Sequence, residues 1–473
     1  MPKVKSSSQE IQNQFDRPPL REGLFDKLKS GFVSIAGFYG YERIFTPVLE
    51  NPRSFQPLVR EGLMFETPPI FCKTRNGEEI VLKPSGALSV LRAYFTHKMQ
   101  DLPHPVKLLF DTQVFFLPSI LSKNASSNPA SLLGRPECGV VIIGEDGPVA
   151  EAQIIQLIWK GLNEGGVRLD GFAFRINATG CSECRSAFRQ PFVSYLRNRS
   201  VRLCKGCKIH LKRQPTRILV CEEEKCRIVV NFSPQVLDFL CDACKKHLTG
   251  LLEFLDEMDI PYFLDPKFFR DGSPFNLVIF ELVNPHTQNA RSILSVGVKN
   301  LSASSAVASE SEKSGQAVAN IGQPIAGPGK GLVFAEGGRL SRAAELMGGK
   351  KTDIVSGAIF LEALESFARG FVDADARRPK VFFAHLGELA KRKSMKIIEE
   401  LRAAGIETQE SLGRDSIKSQ LKVAERIDAG VALLLGQKEA LDGTIIVRET
   451  GLGVQETIPQ ERLVEFLRKK LKK

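Results

Sequence analysis

The chain has 473 residues, 43% apolar and 25% charged, with 65 Lys and Arg against 54 Asp and Glu. At roughly 150 residues per domain this length predicts about three domains, and the apolar content excludes a globally disordered chain. No run approaches the roughly 18 consecutive apolar residues of a membrane helix, and the opening MPKVKSSSQEIQNQF has no apolar signal-peptide core, so a cytoplasmic protein with no membrane partner is expected.

Leu24, Leu28, Phe32 and Ile35 recur at helical spacing and predict a helix ending near Gly37, followed by an extended run, YERIFTPVLE. EIVLKP reads as a strand, and LSVLRAYF after Gly86 is an apolar-periodic segment. LLFDTQVFF (108–116) and GVVIIG (139–144) read as buried strands separated by a polar loop, SKNASSNPAS, and AEAQIIQLIWKGL (150–162) as a helix.

Eight of the ten cysteines then fall between positions 181 and 244, as Cys181/Cys184, Cys204/Cys207, Cys221/Cys226 and Cys241/Cys244. Short spacers let both thiolates of a pair turn toward one ion, and two pairs complete the tetrahedral four-sulfur site of structural zinc. One to two zinc ions are expected, with sequential and interleaved pairings both open. Cys72 and Cys138 stand alone and read as core residues. From Cys181 to His247 there are fourteen Lys and Arg against six Asp and Glu, so eight of the eleven net positive charges lie here. Two filled four-thiolate sites, each net −2, reduce that +8 to about +4, and a basic surface suited to phosphates survives.

Beyond the cysteines, LTGLLEFLDEM reads as a helix and NLVIFELV as a strand, while residues 284–330, rich in Ser, Ala, Gly and Asn, read as a long flexible insertion. VFFAHLG predicts a strand, Glu388 to Ala404 a basic amphipathic helix capped by Gly405, VALLLG a buried strand, and TIIVRE with VQETIP a hairpin across Gly451, before a last helix into RKKLKK. This order predicts a small α/β domain with a mostly parallel sheet, after an N-terminal α+β part built on an antiparallel sheet. The expected divisions are 1–177, a cysteine-rich basic insertion at 178–258, 259–372 and 378–473. There is no Walker-type phosphate loop and no GxGxxG fingerprint.

In this order the segments resemble those of histidyl-tRNA synthetases, which are class II aminoacyl-tRNA synthetases. GFYGYERIFTPVLE, with Pro47, is similar to the first class II motif, and LKPSGALSVLRAY to the family's L-R-P-E-G-T-…-R-A segment. PVKLLFDTQVFF and GVVIIG are similar to the strands entering and leaving motif 2. IPYFLDPKFFRDGSPFNLVIFELV resembles the histidine signature, FAEGGRLSRAAELMGG the G-G-G-R-Y-D-G-L segment, and SGAIFLEALESF motif 3. The tail from GELAKRKSMK to VQETIP resembles the anticodon-binding domain segment by segment. The resemblance implies a class II synthetase-like α+β core, a homodimer built on the first motif, a tRNA partner, and a reaction that uses ATP and Mg²⁺ to join histidine to tRNA.

Set against those motifs, the charged positions depart from the family. Phe116 and Ala363 stand where the resemblance expects the two ATP-binding arginines, and Pro118 and Ser119 follow in motif 2. At the histidine-pocket positions the chain has Ser85 and Ala87 for Glu and Thr, Glu137 for Gln, Val141 for Glu, and Ser273, Pro274 and Phe275 for Asp, Tyr and Tyr. Arg270 and Arg339 are retained, while Arg135, Arg342 and Arg369 are relocated candidates for gripping phosphate. No catalytic residue is secure. Losing one preorganised transition-state charge typically costs about a hundred- to a thousandfold. The expectation is a synthetase-like, tRNA-binding chain without ligase activity. The alternatives are an active histidine–tRNA ligase with divergent motifs and a regulatory-subunit-like protein.

Overall fold

A computed structural model of the chain describes residues 19–64, 69–116, 133–221, 223–269, 272–284, 333–348, 351–368, 380–410 and 416–471. The chain divides into two compact units, Met1–Phe371 and Val372–Lys473.

In the first unit, α1 (Pro19–Phe38) buries Leu24, Phe25, Leu28 and Phe32 along one stripe. The extended run after it holds only two short strands, β1 (Glu42–Arg43) and β2 (Leu49–Glu50), separated around Pro47, which has no N–H to donate to a ladder. Helix α2 (Pro52–Arg60) follows, and β3 (Phe71–Lys73) and β4 (Glu79–Leu82) join β2 in a small antiparallel sheet. Ser85 caps α3 (Gly86–Thr96), its Oγ accepting from the Leu88 N–H at 3.4 Å. Strands β5 (Val106–Phe116) and β6 (Leu133–Ile143) pair antiparallel from Val106↔Ile143 to Phe116↔Leu133, and the SKNASSNPAS segment between them lies outside the described residues.

Helix α4 (Val149–Glu164) and strand β7 (Ala173–Gly180) lead into the cysteine-rich insertion. It consists of α5 (Ser182–Asn198), α6 (Lys205–Arg213), α7 (Glu224–Asn231) and α8 (Asp242–Glu257). Strands β8 (Tyr262–Leu264) and β9 (Asn276–Val283) return the chain to the core, and of the expected flexible insertion at 284–330 only Asn284 is among the described residues. Then come β10 (Val333–Arg339), α9 (Ser341–Gly348), β11 (Ile354–Phe360) and α10 (Leu361–Ala368).

The central sheet has the order β1-β5-β6-β11-β10-β9-β7-β8. The pairings from β5 to β7 are all antiparallel, and only the edge strands β1 and β8 pair parallel to their neighbours. Helices α1, α4 and α8 pack against one face in the largest apolar cluster, while α3 and α9 pack against the other. This is the expected α+β architecture.

The second unit contains β12 (Val381–His385), α11 (Glu388–Ala403), β13 (Thr408–Glu410), α12 (Ile417–Arg426), β14 (Val431–Leu435), α13 (Gln437–Asp442), β15 (Thr444–Glu449), β16 (Gln455–Pro459) and α14 (Leu463–Lys470). Its sheet runs β13-β12-β14-β15-β16. The sheet is mixed rather than mostly parallel: the two helix crossovers make β13·β12 and β12·β14 parallel, whereas the last three strands run antiparallel. The expected β15–β16 hairpin across Gly451 is present.

Candidate functional site

The face of the central sheet that carries α3 and α9 brings together most of the positions singled out in the sequence. Strand alternation sets a continuous cross-sheet row, Phe110–Gly139–Ala358–Glu336–Glu281–Arg175. A second row, Thr112–Glu137–Phe360, lies beside it. At the α3 end this face is apolar. Ala87 and Val141 are buried in one cluster with Phe110, Leu340 and Ala358, and Phe275 packs against it. The Phe110 ring fills the space over two glycines: a Cβ at Gly86 would lie 2.3 Å from it and a Cβ at Gly139 2.5 Å. Ser85 is spent as the α3 cap, and Ser273 Oγ accepts from the Phe275 N–H at 3.2 Å beside partly buried Pro274.

Each of the three cations identified on this face among the described residues is engaged internally. Lys83, fully buried, donates to the Thr46 carbonyl at 2.8 Å and to Thr112 Oγ1, and burial pushes its ammonium below the usual range against the pull of Glu50 and Glu137. Arg135 stacks 3.9 Å over the Phe360 ring and pairs with Glu336 at 3.6 Å. Arg175 pairs with Glu281, lies 3.8 Å from Asp265 and stacks on Phe268. Glu336 and Glu281 oppose one another across β10 and β9, a repulsion that the two arginines relieve from either side. Glu137, also buried, accepts from the Gly86 N–H at 3.2 Å, and desolvation raises its carboxyl to about 7 despite nearby Arg135.

Phe116 ends β5, at the same alternation as Phe110 and Thr112, and Ala363 lies in α10, partly buried against the opposite apolar cluster. Arg270, Pro118, Ser119 and Arg369 lie outside the described residues. Arg342 pairs with Glu345 at 3.0 Å and Glu61 at 3.8 Å. Arg339 points through the sheet to the other side. Its guanidinium, 1% exposed, makes a two-point contact with Glu151 at 2.7 and 3.0 Å and donates to the carbonyls of Glu145 and Gly147. Retaining this arginine is therefore explained by folding. The Arg175–Glu281 and Arg339–Glu151 pairs escaped sequence reasoning, because their members lie 106 and 188 residues apart.

The cysteines form two nested sets: Cys181, Cys184, Cys241 and Cys244, and inside them Cys204, Cys207, Cys221 and Cys226. In each set the four Sγ atoms lie within 4.8 Å of one another. Cys181 and Cys184 are 3.5 Å apart and Cys204 and Cys221 4.0 Å, bracketing the roughly 3.8 Å edge of a tetrahedron with 2.3 Å Zn–S bonds. Backbone N–H groups already point at the sulfurs: Cys241 donates to Cys184 and Cys204 to Cys226, both at 3.1 Å. A hydrogen bond from Cys207 holds Cys221 at about 5 against its own desolvation. Burial raises Cys181, but backbone and thiol donors around it more than reverse this and bring it to about 7. Both sets fit a metal ion. The two differ in surroundings: Cys184 and Cys244 belong to the main core, Cys207 and Cys226 to a satellite core with Phe188, Phe192 and Leu196.

The satellite core presents cations outward. Residues 184–221 contain ten Lys and Arg and no Asp or Glu. Lys205, Lys208 and Lys212 are exposed at i, i+3 and i+7 of α6, whose N-cap is the cluster residue Cys204. Arg199 stacks 4.0 Å over Tyr195 on the preceding helix.

Comparison with known proteins matches these features. Residues 380–470 match the family model of the anticodon binding domain. Over 440 residues the chain is 27% identical to the histidine–tRNA ligase of Dehalococcoides mccartyi, covering 92% of this chain and 93% of that one. For the Desulfitobacterium hafniense histidine–tRNA ligase the identity is 28%, with 92% and 91% covered. Over nearly its whole length the chain is similar to histidine–tRNA ligases. The class II fold extends to the apo Staphylococcus aureus histidyl-tRNA synthetase crystal structure, at a TM-score of 0.69 and 22% identity over 95% of this chain and 97% of that one. A Bacillus halodurans structure described as an ATP phosphoribosyltransferase regulatory subunit/histidyl-tRNA synthetase aligns at 0.55 and 13% over 89% and 95%.

Proposed function

We propose that this chain is a member of the histidyl-tRNA synthetase family that binds tRNA through its basic insertion and anticodon-binding domain but does not ligate histidine to it. One observation carries the second half: the positions expected to bind histidine, Ala87, Val141 and Phe275, belong to or pack on one closed apolar cluster. ATP activation needs cations free to neutralise phosphate as charge moves onto pyrophosphate. Lys83, Arg135 and Arg175 are committed to internal partners instead. The matched anticodon binding domain favours a tRNA-facing role over a purely regulatory-subunit-like one.

Two zinc ions hold the insertion in this reading, one per cysteine set, and the reducing cytoplasm keeps the eight thiols available to them. ATP and Mg²⁺ belong only to the active-ligase alternative. The chain is a homodimer joined at the first class II motif, where Phe38 and Phe45 stand 82% and 87% exposed beside exposed Leu49. Sedimentation equilibrium checks this: Phe45→Asp is expected to give monomers, and a wild-type monomer contradicts it. No helix among the described residues is long and apolar enough to cross a membrane.

The function is tested by incubating the chain with tRNA, histidine, ATP and Mg²⁺. The expected outcome is a tRNA complex that weakens steeply with salt while the tRNA stays uncharged; charged tRNA, or no complex at low salt, contradicts the reading.

A further inference from the structure

The two cysteine sets are not equivalent in what they touch. The outer set is built into the main core, and its last two ligands open α8, with Cys241 as N-cap and Cys244 in the first turn. One turn further along the same helix, His247 Nε2 meets Glu151 Oε1 at 2.9 Å. Glu151, fully buried in the first turn of α4, is the carboxylate that grips Arg339 at the end of β10. Burial pushes the Glu151 carboxyl up, but hydrogen bonds from His247 and Arg339 and the guanidinium charge more than reverse this and hold it below the usual range. The remaining Arg339 contacts tie the loop before α4 and Asp353, just ahead of β11, to the same point. Three residues before Arg339 along β10, Glu336 faces the opposite side of the sheet and pairs with Arg135 on the candidate ligand face.

We propose that metal bound by Cys181, Cys184, Cys241 and Cys244 fixes β10, and with it the candidate ligand face, through helix α8 and the buried His247–Glu151–Arg339 relay. This rests on the metal reading of the outer cysteine set. His247 is a positioning residue: it touches neither the cysteine sulfurs nor the ligand face, and acts by supplying a donor to a carboxylate that otherwise has one cationic partner for two buried oxygens. The geometry needs the whole turn from Cys244 to His247, because a helix start anchored by two sulfur ligands sets the axial position of a side chain one turn away. Among the described residues the inner set has no such connection. It sits in the satellite core, on α6, α7 and the segment between them, so its metal holds the insertion together without reaching the sheet.

The test is hydrogen exchange of the full-length chain, zinc-loaded and after chelation, with metal content measured in parallel. Chelation is expected to raise exchange about tenfold in the first turn of α4 and in β10, leaving the second unit unchanged. Zinc-loaded His247→Leu reproduces the β10 increase with both metals still bound, His247→Gln, which keeps an N–H donor for Glu151, restores protection, and Cys204→Ser/Cys221→Ser leaves β10 as in the wild type. Unchanged β10 protection in His247→Leu, or in a chain from which the outer metal has been removed, overturns the relay alone. A folded wild-type chain that binds no metal overturns the relay together with the zinc reading beneath it.

Discussion

The ligand face of the central sheet and the cysteine-rich insertion treat polar groups in opposite ways. On the sheet, the resemblance expects open charged positions, yet Ala87 and Val141 are sealed in an apolar cluster and the neighbouring cations are paired inward. In the insertion, eight thiols converge in two sets, and a stretch of 38 residues without one acid displays its lysines to solvent. Both regions are well packed, so packing does not distinguish a working surface from a closed one. The difference lies in whether charged groups end on internal partners or face outward.

The largest effect expected from breaking this contrast is in the insertion. Structural zinc sites contribute on the order of 10 kcal/mol to the folding of the segment that carries them. Elemental analysis is expected to find two zinc ions per chain, and Cys204→Ser/Cys207→Ser to remove one of them and melt the satellite core, seen as loss of protection in α5, α6 and α7. A folded satellite core in that variant would show that its apolar residues suffice alone.

Next in size is Glu137 on the closed face. Burial moves its carboxyl from an ordinary 4.5 to about 7. A group whose pKa is raised in the folded state gives stability that is full below its unfolded value and disappears as pH rises through the folded one. The wild type is therefore expected to lose about 3 kcal/mol from this residue between pH 4.5 and pH 8, and Glu137→Gln to lose none of that share. Urea unfolding of both proteins at pH 5 and pH 8 measures it; equal pH dependence would mean the carboxylate is solvated and the face more open than described.

The smallest effect sharpens the outward-facing side. Replacing Lys205, Lys208 and Lys212 by alanine is expected to flatten the logarithmic salt dependence of tRNA binding by about 2 to 3 units while leaving zinc content intact. An unchanged slope would move the RNA contact elsewhere.

Much of this contrast was legible in the sequence, and the illegible part has a common cause. Close cysteine pairs, the acid-poor basic segment and the long apolar strands are local signals, and each led to the corresponding element. Which cysteine pairs share a site depends on α8 returning to the end of β7 where α5 departs, 57 residues later, which no spacer length encodes. The side of the sheet taken by Arg339 depends on the register of β10 against two neighbours, including a register shift beside Gly338, and on finding Glu151 in a helix that otherwise reads as apolar. The second unit's sheet is mixed where a mostly parallel one is expected, because strand–helix alternation specifies the crossovers of β12, β13 and β14 but not the direction of the strands that follow.

The central claim is that the closed face cannot activate histidine. Histidine-dependent exchange of pyrophosphate into ATP isolates that step from any tRNA effect. The expected result is no exchange above a histidine-free control with the zinc-loaded, full-length chain; exchange at the rate of an ordinary synthetase would contradict the account.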